Sequence, residues 1–246
     1  MVGMNRYVIG PLAALVLGQA GVRAGPPFTT DDPEPVGYHH WEFYIASTQQ
    51  FQKSEVDATL PHFEVNFGVL PDVQLHLLAP IDYVHTNEGS SFGYSTTELG
   101  VKLRFMEETD NQPQIGTFPM IEIPTRIGYS HVESSSIQIL IPIWLQKSWG
   151  NLTTYGGAGF WYNPGRERKN WLSAGWLVQY AVSNALTLGG EVFYHTADTI
   201  DGGSEALVHI GGFVNLDRNN HLLFCIGPTV VGEQSISGYL GYQLTI

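Results

Sequence analysis

The sequence is poor in cysteine, in basic residues and in long apolar runs. Its single cysteine, Cys225, cannot form an intrachain disulfide, which excludes the class of small disulfide-stapled secreted domains. Lys and Arg number 11 against 23 Asp and Glu, for a formal net charge of −12, so the clustered cations that nucleic-acid binding needs are missing. One of the strongest apolar runs, at 139–145, contains a proline and is far shorter than the roughly 20 residues that cross a bilayer as a helix.

Residues 1–24 have the parts of a secretory signal peptide. A short basic region, Met1–Arg6, precedes the mostly apolar stretch Tyr7–Ala20 and small or aliphatic residues around the expected cleavage site after Ala24. The alternative is a membrane anchor, but the apolar part is shorter than the roughly 20 residues of a spanning helix. Cleavage removes Arg6 and Arg23 and makes the mature chain still more acidic.

The apolar residues that are present alternate with polar ones, which is the period of a β-strand with two unlike faces. Stretches such as 73–85, 96–105 and 185–195 show the pattern clearly. Twelve strands are predicted, at 39–51, 56–69, 73–86, 94–106, 114–128, 136–147, 152–162, 170–182, 186–196, 205–215, 221–230 and 236–246. The sequence thus predicts an all-β fold, a transmembrane antiparallel up-and-down β-barrel over 38–246, after a cleaved signal peptide.

The predicted connections alternate between short and long, as they do in outer-membrane barrels. The turns expected on the periplasmic side are Pro71-Asp72, the longer Glu107–Pro113, Ser148–Asn151, Ser183-Asn184 and Asp217–Asn220. The opposite connections, expected to be generally longer, run through Asn87–Gly93, Tyr129–Ser135, Asn163–Lys169 and Ala197–Ser204. Both termini would then lie in the periplasm.

The last strand is typical of the C-terminal signal by which the barrel assembly machinery recognises its substrates. Leu240, Tyr242, Leu244 and Ile246 alternate up to the end of the sequence. Ile246 stands where an aromatic residue is usual, and an ordinary edge strand is the alternative interpretation.

The alternation also assigns the two faces of each strand. Aliphatic residues and the aromatic residues Tyr83, Phe105, Tyr180 and Tyr194 would face lipid, the aromatics near the membrane interfaces. Charged residues would cost about 2–4 kcal/mol on the lipid face at mid-bilayer, so they should face the lumen. The lumen-lining candidates are Glu42, His62, Glu64, His76, Asp82, Glu98, Lys102, Arg104, Glu122, Arg126, Glu191, His195 and His209.

These inward charges allow two interpretations. They could form a selectivity lining for a small solute in the narrow lumen of a barrel of about twelve strands. They could instead form a salt-bridged network that keeps a polar interior free of unpaired charge. In the second case the five glutamates would pair with Lys102, Arg104 and Arg126.

Residues 25–37 are rich in proline and aspartate and have no strand period. They predict either a small plug, in which Asp31 and Asp32 meet Arg104 or Arg126, or a flexible periplasmic lead. In the second case the prolines would keep the segment from joining the sheet edge.

Several motifs together resemble a known bacterial family. They are "GPPFTTDDPEP" followed by "HHWEFYIAS", then "FEVNFGVLPDVQLHLLAP", "TELGVKLRF" and "FPMIEIPT". As a set they resemble the outer-membrane "transporter" proteins associated with the MetA-pathway of phenol degradation, most closely over 25–126. The resemblance implies an outer-membrane β-barrel that passes hydrophobic or aromatic compounds, and it carries no established catalytic or binding residues.

Other chemistry finds little support in the sequence. His62 and His76 could meet across a hairpin, but no third metal ligand is evident, so no metal site and no redox or organic cofactor is expected. An outer-membrane hydrolase would need Ser, His and an orienting acid or Asn on neighbouring strands. "SHVESSS" at 130–136, which contains His131, lies in a predicted loop without an oxyanion hole, so no enzyme is expected.

The expected function is therefore passive passage of a small solute through the outer membrane. The expected partners are outer-membrane lipid, the solute and the assembly machinery. The rival interpretation is a soluble secreted or periplasmic binding protein with a β-sandwich or lipocalin-like fold, because a sandwich also alternates apolar and polar residues.

Overall fold

The computed structural model describes residues 26–127 and 136–246, without the side chains of Arg126 and Ile127. The predicted signal peptide and the "SHVESS" portion of the loop motif, with His131, lie outside the described residues.

The described chain consists of antiparallel strands joined by turns and loops. The strands are β1 (Trp41–Phe51), β2 (Glu55–Leu70), β3 (Val73–Thr86), β4 (Gly89–Met106), β5 (Gln114–Thr117), β6 (Met120–Ile127), β7 (Gln138–Trp149), β8 (Leu152–Tyr162), β9 (Trp171–Ser183), β10 (Leu186–His195), β11 (Glu205–Asn215), β12 (Asn220–Val231) and β13 (Ile236–Thr245).

The sheet closes on itself because the first strand pairs with the last. β1 and β13 form a continuous antiparallel ladder from Glu42↔Thr245 to Phe51↔Ile236. β5 and β6 share one position between β4 and β7, so the ring has twelve strand positions. The predicted twelve-strand antiparallel barrel is confirmed, and the two-layer sandwich is wrong.

The predicted strand 114–128 is interrupted, because the chain leaves the ladder at Phe118 and Pro119. Pro119 has no N–H to donate to a ladder, which favours a break at this point. The Phe118 ring turns inward and is buried, at 5.2 Å from the His76 ring and 5.0 Å from Lys102 Nζ. Gly100 leaves the room for it, since a Cβ there would lie 2.6 Å from Phe118.

The long loop expected at Asn87–Gly93 is wrong, because β4 already begins at Gly89. Ser90–Tyr94 continue the ladder with β3 up to the turn at residues 87–88. The residues of this stretch are small or aromatic and are compatible with a pleated sheet. The hairpin therefore extends several residues further than the sequence pattern indicated.

The two faces of the barrel differ sharply in polarity. Outward apolar side chains are widely exposed, for example Ile210 at 67% and Leu240 at 62%, whereas the inward Glu191 is 1% exposed. An outer surface of this kind favours lipid, and the closed ladder satisfies the backbone groups that lipid cannot. No helix long and apolar enough to cross a membrane occurs in residues 26–127 or 136–246.

The two ends of the barrel are named here by their connections. The terminal end carries Trp41, Ile246 and the turns at 71–72, 107–113, 150–151, 184–185 and 216–219. The loop end carries the connections at 52–54, 87–88, 163–170, 196–204 and 232–235.

A charge placed on the outer face should destabilise the barrel. Ile143 lies halfway along β7 and is 48% exposed on that face. We expect Ile143→Arg to lower the free energy of unfolding in lipid bilayers by about 2–4 kcal/mol, because Arg must enter hydrocarbon. Ile143→Leu is the control and should cost less than about 1.5 kcal/mol. Equal unfolding free energies for the two variants would argue against lipid at this surface.

Candidate solute pathway

The structure places the described lumen candidates on the inner wall, with different degrees of burial. The buried ones are Glu42, His62, Glu64, His76, Lys102, Glu191 and His209. The half-buried ones are Asp82, Glu98, Arg104, Glu122 and His195. The side chain of Arg126 lies outside the described residues. The inner wall is therefore polar over much of its length.

Three of the inward glutamates, Glu64, Glu98 and Glu191, pair with histidines in the described residues, and not with Lys102 or Arg104 as predicted. His76 lies between two of them, with Nε2 2.8 Å from Glu98 Oε1 and Nδ1 3.6 Å from Glu64 Oε1. Glu191 pairs with His209, with Nδ1 at 2.8 Å from Oε2. The register decides this, since Glu191 and His209 stand directly opposite each other on β10 and β11.

The two lumen cations whose side chains are described, Lys102 and Arg104, bind aspartates and a glutamine. Arg104 donates to Asp72 in the turn after β2 and, at 2.8 Å, to Gln114 Oε1. Lys102 Nζ lies 2.8 Å from Asp31 Oδ1 and 3.4 Å from Asp32 Oδ2. The predicted contact of the aspartates with Arg104 is thus replaced by one with Lys102, whose side chain is buried beside them.

Residues 26–37, here called the N-terminal segment, lie inside the lumen and contact strands around the ring. Val36 N donates to Gln74 Oε1 on β3 at 2.8 Å, and Gln146 Nε2 on β7 donates to Glu34 at 3.2 Å. Further in, the N–H groups of Thr29 and Thr30 donate to the Glu191 carboxylate. The segment therefore enters from the terminal end and reaches the middle of the barrel.

The innermost part of the segment packs into a mixed apolar cluster. Phe28 is buried with Tyr44, Tyr155 and Leu177, among others. The Cys225 thiol donates to Pro27 O at 2.9 Å. These contacts bury apolar surface in an otherwise polar lumen and stabilise the segment there.

Glycines on the barrel wall make room for the N-terminal segment. A Cβ at Gly175 would lie 1.9 Å from Thr30 Oγ1, and one at Gly116 would lie 2.9 Å from Pro33 Cβ. At the terminal end a Cβ at Gly68 would lie 2.0 Å from Gly37 O. The wall and the segment are therefore complementary in shape.

Asp32 is the most deeply buried charged group of the segment, with no exposed surface. Burial raises the pKa of its carboxyl well above the ordinary value, and the charge of Lys102 opposes that rise. Removing either partner would leave a buried charge without compensation, which is strongly destabilising in proteins. The Asp31–Lys102–Asp32 cluster thus ties the segment to β4.

A belt of glutamines near the terminal end lies outside the set of lumen-lining candidates that the sequence predicts, although the alternation already places Gln74 inward. Its members face inward, are almost fully buried and come from five strand positions: Gln74, Gln114, Gln146, Gln179 and Gln243. Each occupies the same alternation phase as the neighbouring charged or aromatic lumen residues, which is the signal that could have found them.

An aromatic cluster lies on the inner wall at the loop end. The rings of Trp161 and Trp171 stack with centroids 4.6 Å apart and planes 5° from parallel. His195 meets Trp171 edge-on at 5.5 Å, and Trp161 Nε1 donates to Ser173 Oγ at 3.3 Å. A flat ring entering from this end would meet an indole surface of matching chemistry.

The N-terminal segment does not fill the whole lumen. A cavity of about 320 Å³ remains between the segment and β1–β4, and its lining includes Glu34, Glu42, Glu64 and Lys102. That volume is within the range of small-molecule sites. No group of three His, Cys, Asp or Glu side chains in the described ranges is placed to hold a metal ion.

The fold is similar to that of solved outer-membrane channels. The COG4313 outer membrane channel from Pseudomonas putida F1 superposes with a TM-score of 0.68 at 12% identity, over 91% of this chain and all of that one. The KdgM porin gives 0.58 at 10% identity, over 82% and 98%. The CymD monoaromatic hydrocarbon channel gives 0.51 at 7% identity, over 86% and 89%.

These three similar structures are channels or porins, not enzymes. No protein-family model matches this chain, and no curated protein matches it either.

Filling the space beside Thr30 should dislodge the N-terminal segment. We expect Gly175→Val to expose Cys225, because overpacking costs about 1–3 kcal/mol. At about 1.4 kcal/mol per tenfold, maleimide labelling of the thiol should become about 5- to 150-fold faster. Gly190→Ala on the next strand is the control, since its Cβ would meet nothing closer than 3.6 Å. Equal labelling rates in both variants would contradict the packing described.

Proposed function

We propose that this chain is an outer-membrane channel for small solutes, including hydrophobic and aromatic ones, and that its N-terminal segment is a plug. The observation that carries the proposal is the closed barrel with an apolar outer face and a polar lumen that the segment partly fills. A closed barrel is one of the two architectures that satisfy every backbone group in lipid. The channel function agrees with the solved channels of the same fold.

The contacts of the segment support its role as a plug. Apart from the packing of Phe28 and the Cys225–Pro27 bond, its contacts with the wall are polar, through Lys102, Glu191, Gln74 and Gln146. Such bonds exchange readily with water, so the cost of release is smaller than that of opening the wall. Asp31 and Asp32 would leave Lys102 when the segment moves, which widens the present cavity into a passage.

Two observations support aromatic solutes. The stacked Trp161 and Trp171 offer a flat apolar surface where the solute enters at the loop end. A channel of the same fold, CymD, is described as a monoaromatic hydrocarbon channel. The solute would first be selected by stacking on the indole rings and would then pass the inward polar groups.

The family and the orientation in the membrane are proposed from the sequence. We propose that it belongs to the transporter family associated with the MetA-pathway of phenol degradation, on the motifs at 25–126. With the terminal end in the periplasm, as its turns indicate, both termini would lie there and the loop end would face outside the cell. The outward-facing Leu240, Tyr242 and Ile246 would present β13 to the assembly machinery.

Locking the segment in place should close the channel. Pro27→Cys puts a second thiol beside Cys225, whose Sγ lies 2.9 Å from the Pro27 carbonyl oxygen. We expect an oxidised, crosslinked protein to lose most of its solute flux in liposome-swelling assays, and dithiothreitol to restore it.

Two variants serve as controls for the crosslink. Pro27→Ser keeps a side chain of similar size without a thiol, and Pro27→Cys with Cys225→Ala lacks the partner. Neither should respond to oxidant. Equal flux through the oxidised and reduced forms of the Pro27→Cys protein would refute a moving plug while leaving the channel function intact.

Removing one indole should slow aromatic solutes selectively. Aromatic pairs contribute about 0.5–1.5 kcal/mol, so Trp171→Ala should lower the uptake of dilute phenol by about 2- to 13-fold. Glycerol uptake should be unchanged. Trp176→Ala is the matched control, because Trp176 lies on the same strand but faces outward. A parallel loss of glycerol and phenol uptake would argue against selection by stacking.

A further inference from the structure

We propose that Ser237 is an activated nucleophile that accepts acyl groups from small esters entering the lumen. The inference rests on a connected set of three side chains on the inner wall. His209 Nε2 lies 2.7 Å from Ser237 Oγ, and His209 Nδ1 lies 2.8 Å from Glu191 Oε2. Serine, histidine and acid joined in this order, through the two different ring nitrogens, have the connectivity of a serine-hydrolase triad.

The hydrogen bonds of Glu191 orient the His209 ring. An ionised carboxylate can only accept hydrogen bonds, and Glu191 accepts from Thr29 N, Thr30 N and His209 Nδ1. With Nδ1 directed at that carboxylate, His209 presents Nε2 to the Ser237 hydroxyl at 2.7 Å, which is the arrangement for removing the hydroxyl proton.

The sheet register produces this geometry from three separate strands. Glu191 and His209 are direct partners on β10 and β11. Ser237 on β13 is two strands from His209, with Gly227 of β12 between them and paired to Ser237. Gly227 has no side chain, and a Cβ there would lie 2.8 Å from His209 Cα. This gap lets the imidazole reach across β12 to the serine.

The serine is accessible, whereas its partners are buried. Ser237 is half-buried and is the second residue of β13 from the loop end. His209 and Glu191 are 3% and 1% exposed. Gln50 stands directly opposite Ser237 on β1, so both side chains project into the lumen. Gln50 Nε2 donates one N–H to Ser235 Oγ at 3.3 Å. We assign its second N–H as the donor to the oxyanion.

The reaction conserves atoms and charge. Ser237 Oγ attacks the ester carbonyl carbon while its proton passes to His209 Nε2. The bond from that carbon to the alcohol oxygen breaks, and the alcohol leaves with the proton from His209. Lumen water then attacks the acyl-serine in the same way, releasing a carboxylic acid and restoring the Ser237 hydroxyl. The substrate class is short esters, aromatic ones included.

The test uses the full mature chain, purified in detergent and checked for a folded barrel by heat-modifiable migration. A fluorophosphonate probe should add to Ser237, identified by the peptide mass, and p-nitrophenyl acetate should release p-nitrophenol in a burst. Ser237→Ala should abolish the adduct. His209→Gln should slow its formation about 10²- to 10⁴-fold, the usual contribution of a general base.

Further variants separate activation from a structural role. Ser148→Ala removes a serine near the terminal end that bonds to Thr153 and not to a histidine, and it should leave the Ser237 adduct rate unchanged. Gln50→Ala should slow ester turnover and leave the heat-modifiable gel migration of the folded barrel unaltered. The proposal would be overturned if Ser237 reacted no faster in the wild type than in His209→Gln. An adduct at another serine would also overturn it. Solute flux is measured on the same samples, so the channel function is tested independently.

Discussion

The closed ladder between β1 and β13 is the constraint on which the rest of the molecule depends. Lipid offers no hydrogen bonds, so each strand must find both its neighbours within the chain. Once Glu42 is paired to Thr245 and Phe51 to Ile236, the side-chain alternation sorts every strand into a lipid face and a lumen face. The ladder thus determines that Glu191, His209 and Lys102 are enclosed together, away from lipid.

Enclosure of these groups creates a second requirement, which is that their charges be compensated within the barrel. The wall meets it only in part, through histidine–glutamate pairs such as His76–Glu98. The N-terminal segment contributes as well, because its aspartates pair with Lys102 and its backbone N–H groups donate to Glu191. The segment is therefore part of the charge compensation of the lumen and not only a filler of its volume.

The alternation in the sequence is sufficient to predict the strand number, the direction of each face and the inward position of the described lumen candidates. It could not predict contacts that depend on register. The break at Phe118 and Pro119 arises from one ring turning into a space left by Gly100, and no local pattern reports this. The partner of Asp31 depends on how far the segment enters, and the link from His209 to Ser237 depends on the absence of a side chain at Gly227.

The glycine at position 175 has an evolutionary consequence. Thr30 Oγ1 occupies the space that a side chain at 175 would need, so the two positions share a single volume in the lumen. A lineage can gain a side chain at one of them only after the other has become smaller. The N-terminal segment and β9 are about 145 positions apart in the sequence, yet their substitutions should be inherited as correlated pairs among the descendants of this barrel.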